Sequence, residues 1–224
     1  MLKGNVFGQL TILKRRENAM KKILILMMVA MLTLLTSVVM ADVNGEAKAG
    51  RLFLFQKCDD SLKDAQGYDS SFGCPTGPGP WPVFLGKDRF GKMDYSLWGL
   101  EFKFSFEGKR LEPKKHYTLI YYPDPWPGAG LICLGSGNTN KKGNIEIHGS
   151  LDIGTNLPAP YDANFKAVPG GSGAVGAKIW LVQSEDVLCT EVPNNNMMLN
   201  WKPAAYLFEY NLIVYEHREE LEDD

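Results

Sequence analysis

Histidine is scarce in this chain, with three in 224 residues, and its four cysteines never fall into a C-x-x-C pair. Both shortages argue against zinc, which is held through such pairs or through clustered histidines. A blue-copper centre needs a Cys, two His and usually a Met, with one His between the Cys and the Met. Here no His separates Cys189 from Met197 and Met198. Hydrolase marks are missing too, since neither G-x-S-x-G nor H-E-x-x-H occurs. The glycine-rich run at 170–176 lacks a following Gly-Lys-Ser/Thr and opens no helix, so it is not a phosphate cradle. No calcium loop of the D-x-[DN]-x-[DN]-G type is present; loose oxygen sets remain, Asp59 with Asp60, or Asp152 with Asp162 and Asn164. A structural calcium ion is therefore a weak expectation, and no other cofactor is expected. No stretch holds a 3.6-residue apolar period for long, which excludes a helical bundle.

The first forty residues read as an address rather than as fold. Met20, Lys21 and Lys22 form a short basic start, and residues 23–39 are apolar and uncharged. Val39, Met40 and Ala41 then place small or aliphatic groups where a signal peptidase cuts, which makes 20–41 a secretory signal. Residues 1–19 read as an extension called upstream of the true start at Met20. The competing reading keeps 23–41 as an uncleaved anchor, because 19 apolar residues nearly suffice to span a bilayer. After cleavage, residues 42–216 form one domain and 217–224 an acidic tail, with no membrane span left. The segment to Ala41 takes six basic residues and one acid with it, leaving 18 basic against 25 acidic, a formal charge of −7. An acidic domain without a basic stripe argues against nucleic acid and against adhesion to anionic lipid.

All four cysteines follow the signal. An even count in an oxidising compartment reads as two disulfides. Three pairings are possible and sequence alone does not choose among them; the favoured one joins Cys58 to Cys74, closing a loop rich in Gly, Asp and Ser, and Cys133 to Cys189, joining two strands. In the chain-entropy model the shorter loop contributes about 3 kcal/mol and the longer one somewhat more.

The body of the chain alternates in steps of two. Leu100, Phe102, Phe104 and Phe106 share one face, with Glu101, Lys103, Ser105 and Glu107 on the other. A second run covers 116–122. Ile145, Ile147, Leu151 and Ile153 form a third, with Glu146, His148, Ser150 and Asp152 opposite. Shorter apolar runs at 51–57, 131–134 and 177–182, a short edge strand at 83–85 and a last strand at 207–215 complete the set, the last turning Phe208, Tyr210, Leu212 and Val214 inward. Residues 86–99 give no clear pattern and read as chain wrapping the surface. Seven or eight strands between Gly/Pro loops predict an all-β, two-layer antiparallel β-sandwich of immunoglobulin-like architecture. The Cys…Trp…Cys order of a true immunoglobulin domain is absent.

Two groups of residues stand out as sites. Trp81 and Trp126 sit in Pro/Gly loops, where a core role is hard to assign, and Tyr121, Tyr122 and Asp124 lie beside Trp126. Together these could form a shelf that stacks on a sugar ring or takes a protein side chain; the alternative is that the rings fold back as a cap on the sandwich. Glu146, His148 and Asp152 could serve a hydrolase, since a carboxylate beside an imidazole favours its charged form. The outer face of any half-exposed strand carries such residues, however, and no nucleophile accompanies them.

The runs at 117–128 (YTLIYYPDPWPG), 131–137 (LICLGSG), 177–182 (AKIWLV) and 206–213 (YLFEYNLI) resemble a set of exported prokaryotic β-sandwich proteins with no established activity. The likeness spans residues 100–215 and implies an exported sandwich, with no ligand or catalytic residue attached. The expectation is a non-enzymatic binding or structural module, secreted or in the cell envelope, with an envelope protein or a glycan as partner. A secreted hydrolase using Glu146, His148 and Asp152 is one competitor, and a calcium-stiffened adhesive domain is the other.

Overall fold

A computed structural model describes residues 49–76, 89–163, 176–190 and 195–219. The expected signal segment at 20–41, Trp81, the expected edge strand at 83–85, Asn164 and the end of the acidic tail lie outside the described residues. Eight strands form one sheet: β1 (Ala49–Phe55), β2 (Phe90–Ser96), β4 (Phe102–Lys109), β5 (His116–Tyr122), β6 (Ile132–Asn138), β7 (Ile145–Leu151), β8 (Lys178–Gln183) and β11 (Leu207–Glu209). Two small ladders accompany it. The first pairs β9 (Val187–Leu188) with β10 (Met197–Met198), and the second pairs β3 (Trp98–Gly99) with β12 (Glu216–His217) in parallel.

The order across the sheet is β6-β5-β8-β11-β1-β2-β4-β7, every neighbour antiparallel, and the sheet curls until it is nearly a barrel. Its two edges, β6 and β7, are joined by a hairpin and meet through side chains. A Cβ added at Gly135 would stand 2.8 Å from Ile147 Cγ2, so only glycine lets the two edges come this close. The two edges share no ladder, so side-chain packing rather than backbone pairing brings them together.

Inside the curl lies the main core. Leu52, Met93, Phe102, Phe106, Leu119 and Leu181 are fully buried there, and Phe102 meets Tyr215 edge-on at 5.1 Å. Each such side chain stabilises the fold by about 1.5–3 kcal/mol relative to exposure. The alternation expected for β4 holds from Phe102 on, but Leu100 precedes the strand and is 51% exposed.

A second core lies on the outer face of β5, β8 and β11. The cross-strand register sets Ile120 opposite Trp180, Trp180 opposite Phe208, and Phe208 opposite Phe55, so directly opposed residues line up as one outward row. Residues 184–190 and 195–206 fold over this row as a cover, with Val187, Met198 and Tyr206 buried against it. Both disulfides form as expected: Cys58–Cys74 closes its loop beside this second core, and Cys133–Cys189 ties the cover to β6. Asp186, fully buried at the start of the cover, accepts from the Tyr206 hydroxyl at 2.9 Å and pairs with Lys202 Nζ at 2.9 Å.

Two expectations fail on register. Residues 86–99 contain a full strand, β2, rather than surface coil. The last strand stops at Glu209, and Tyr210 and Val214 are 63% and 50% exposed instead of facing inward. A bend at Tyr210 and Asn211 resets the alternation. Ile213 then bridges to Ala177 and Tyr215 to Leu157, which turns those two into the core. Among the described residues no helix is long and apolar enough to cross a membrane.

Candidate functional site

The Pro-rich turn after β5 is held at several points. Gly128 N–H donates to Pro125 O and Leu131 N–H to Gly128 O, each at 2.9 Å. Asp124 pairs with Lys178 at the start of β8, and its backbone N–H donates to Asp162 Oδ1 at 3.2 Å. Asp162 is almost wholly buried and also accepts from the Tyr121 hydroxyl at 2.7 Å. Tyr161 closes the turn from the other side, donating to Gly130 O at 2.8 Å. With each end of the turn held, Trp126 has little freedom to collapse onto the surface.

Trp126 is 50% exposed and meets Trp201 edge-on, with ring centroids 5.5 Å apart. Behind Trp201 the rings continue inward. Trp201 lies 5.8 Å from Trp180, and Trp180 stacks on Tyr122 at 3.8 Å with planes 12° apart. The Trp180 indole N–H donates to Glu209 Oε2 at 2.6 Å, and Glu209 also binds Lys57. An edge-on pair such as Trp126–Trp201 is worth about 0.5–1.5 kcal/mol beyond its buried area. The cover adds an apolar border, because Pro127 O accepts from Met198 N–H at 3.0 Å. Met198 is buried while its neighbours in the alternation, Met197 and Leu199, are 38% and 53% exposed. Trp126 and Trp201 thus stand on an aromatic stack, and Met197 and Leu199 are exposed on the same stretch of the cover that carries Trp201 and bonds Pro127.

Of the expected shelf, Trp126 presents an open ring, and the tyrosines do not join it. Tyr121 and Tyr122 are consecutive in β5 and point to opposite faces of the sheet, as strand geometry requires. Tyr121 enters the inner core and Tyr122 the outer one. Burial pushes both phenols above their ordinary range, and the neighbouring Asp162 and Asp124 charges push the same way. Both stay protonated, and both are packing rather than contact groups. Asp124 anchors the turn through Lys178. Trp201, Met197 and Leu199 lie in a stretch that reads as plain loop; a tryptophan among polar residues was the signal for them.

Glu146 and His148 stand on the exposed face of β7, opposite Glu107 and Ser105 of β4. Asp152 lies past the end of that strand, where it accepts from Gly154 N–H at 2.8 Å and faces His217 Nδ1 at 3.7 Å. The calcium candidates are engaged with protein donors. Asp59 Oδ1 accepts from the Ser61 N–H and hydroxyl, Asp60 pairs with Lys63, and Asp162 holds Tyr121 and Asp124. Among the described residues no group of three or more His, Cys, Asp or Glu is placed to hold a metal ion.

Comparison with protein-family models, with curated proteins and with solved structures gives no match.

Proposed function

We propose that this protein is an exported, non-enzymatic binding module of the cell envelope, and that it receives an apolar side chain of an envelope protein on the Trp126 patch. The carrying observation is the half-exposed Trp126 ring, clamped in its turn and backed by Trp201 and Trp180. A rigid ring exposed beside aliphatic neighbours gains more from an apolar side chain than from a sugar, whose hydroxyls would face Met197 and Leu199 without partners. Two disulfides and the signal-like segment at 20–41 support an extracytoplasmic site of action.

A photoreactive residue at Leu199 tests this in the native envelope. It is expected to give one protein adduct, and the same group at Phe53 is not. The purified partner should then bind the Trp126→Ala chain about thirtyfold more weakly, the usual cost of truncating a central interface tryptophan. Adducts with glycan alone, or unchanged affinity for Trp126→Ala, would discard the reading.

A further inference from the structure

A formal charge of −7 after the signal segment hides a strong segregation of charge. β4 ends at Lys109 and β5 begins at His116, while β6 ends at Asn138 and β7 begins at Ile145. The loops 110–115 and 139–144 therefore emerge at one end of the sheet; with Lys109 at the end of β4 they carry Arg110, Lys114, Lys115, Lys141 and Lys142. Five of these are exposed and Lys115 is half-buried. Of the acids at this end, Glu112 accepts from Gln183 at 3.1 Å and stands 3.9 Å from Lys115, and Glu185 pairs with Lys202, while Glu107 and Glu146 lie opposite each other on the exposed face just below the loops, so the cations outnumber the acids there.

The two loops form one platform. Leu111 N–H donates to Gly143 O, Thr139 N–H to Lys115 O and Lys115 N–H to the Thr139 hydroxyl, each at 2.9 Å, while that hydroxyl donates to Glu112 O at 2.6 Å. Arg110 and Lys114 hold φ of 57° and 58°, the non-glycine residues with positive φ among those described. Left-handed backbone at a branched-free but bulky residue costs about 1–2 kcal/mol and persists where the surroundings impose it. Here both strained positions are cations, at either side of one loop.

We infer that this basic platform docks the protein on the phosphate headgroups of an anionic bilayer surface. Lysine dominates arginine five to one, which suits diffuse attraction to many phosphates more than bidentate grip on one. No large apolar side chain is exposed on either loop, so nothing there stacks on a sugar or base as a polymer-binding groove requires. The attachment is electrostatic and superficial, and it uses a different face from the Trp126 patch. The acidic balance of the whole domain argues against lipid only when its charge is treated as uniform.

Flotation of the full chain with phosphatidylglycerol–phosphatidylcholine vesicles against phosphatidylcholine vesicles gives the anionic preference; the six basic residues up to Ala41 add to it equally in every variant, so the platform is read from the difference between variants. Anionic vesicles are expected to bind more tightly, with the excess falling as salt rises. Lys141→Gln with Lys142→Gln should lower that excess about thirtyfold, the equivalent of about 1 kcal/mol per basic residue. Lys92→Gln with Lys103→Gln removes the same charge elsewhere and should leave it nearly unchanged. Equal binding to both vesicles, equal loss from the two double variants, or capture of soluble polyphosphate without vesicles would overturn the inference.

Discussion

The two walls of this sheet solve the same problem differently. In the wall made by β2, β4 and β7 one face is buried and the other meets water, and β4 reads Phe-Lys-Phe-Ser-Phe-Glu in strict alternation. In the wall made by β5, β8 and β11 both faces are covered, and β5 reads Tyr-Thr-Leu-Ile-Tyr-Tyr with every residue from Tyr117 buried. Continuous apolar runs belong to strands buried on both sides. The difference teaches that the cover, not a second sheet, supplies the outer layer here. It also explains why the exposed aromatic patch lies where it does, at the border of that cover.

Alkali should expose the comparison most completely. Burial, first of all, raises the phenols of Tyr95, Tyr117, Tyr121, Tyr122, Tyr206 and Tyr215. An unfolded tyrosine loses its proton near pH 10, roughly. Above that pH the folded state keeps protons that the unfolded state has released, so stability, complete below it, falls as pH rises. Phenolate absorbance and loss of the β-sheet circular dichroism should therefore appear together. Were Tyr122 and Tyr206 to ionise first with the sheet intact, the cover would be an independent unit.

Phe106→Ala strikes the singly covered wall from inside and should cost about 3–5 kcal/mol in urea unfolding. Phe53→Ala, on the outer face of β1 and 38% exposed, should cost about 0.5 kcal/mol or less. Comparable losses would mean that the two faces of that wall are not distinct. Replacing both Cys133 and Cys189 by Ala acts on the other wall. It should cost about 4 kcal/mol for a closed loop of this length, with the cover loosened before the sheet.

Much of this fold was legible in the sequence. The alternation in β4 and β7 and the apolar run of β5 could be read directly from local pattern, and compartment with an even cysteine count gave two disulfides; the pairing was one of three that the sequence allowed, and the favoured one forms. β2 could not be read this way. Its inward positions are Gly91, Met93 and Tyr95, and Gly91 is there because an added Cβ would stand 2.5 Å from the Phe106 ring. With a glycine on the apolar face and Phe90 on the other, the alternation disappears. The Tyr121–Tyr122–Trp126 shelf was half legible: Trp126 is open, but adjacent strand residues cannot share a face. Trp201 is brought to Trp126 by the cover, and the contact spans 75 positions of sequence that no local pattern links.

Hydrogen exchange of the oxidised protein, compared with the chain carrying Cys133→Ala and Cys189→Ala, measures the covered wall most directly. The amides of β5 and β8 are expected to exchange slowest in the oxidised protein, and those of residues 187–190 and 195–202 to accelerate most in the variant while β4 and β7 change little. A uniform acceleration across the sheet, or β4 and β7 as slow as β5 and β8 from the start, would contradict a cover fastened over one wall alone.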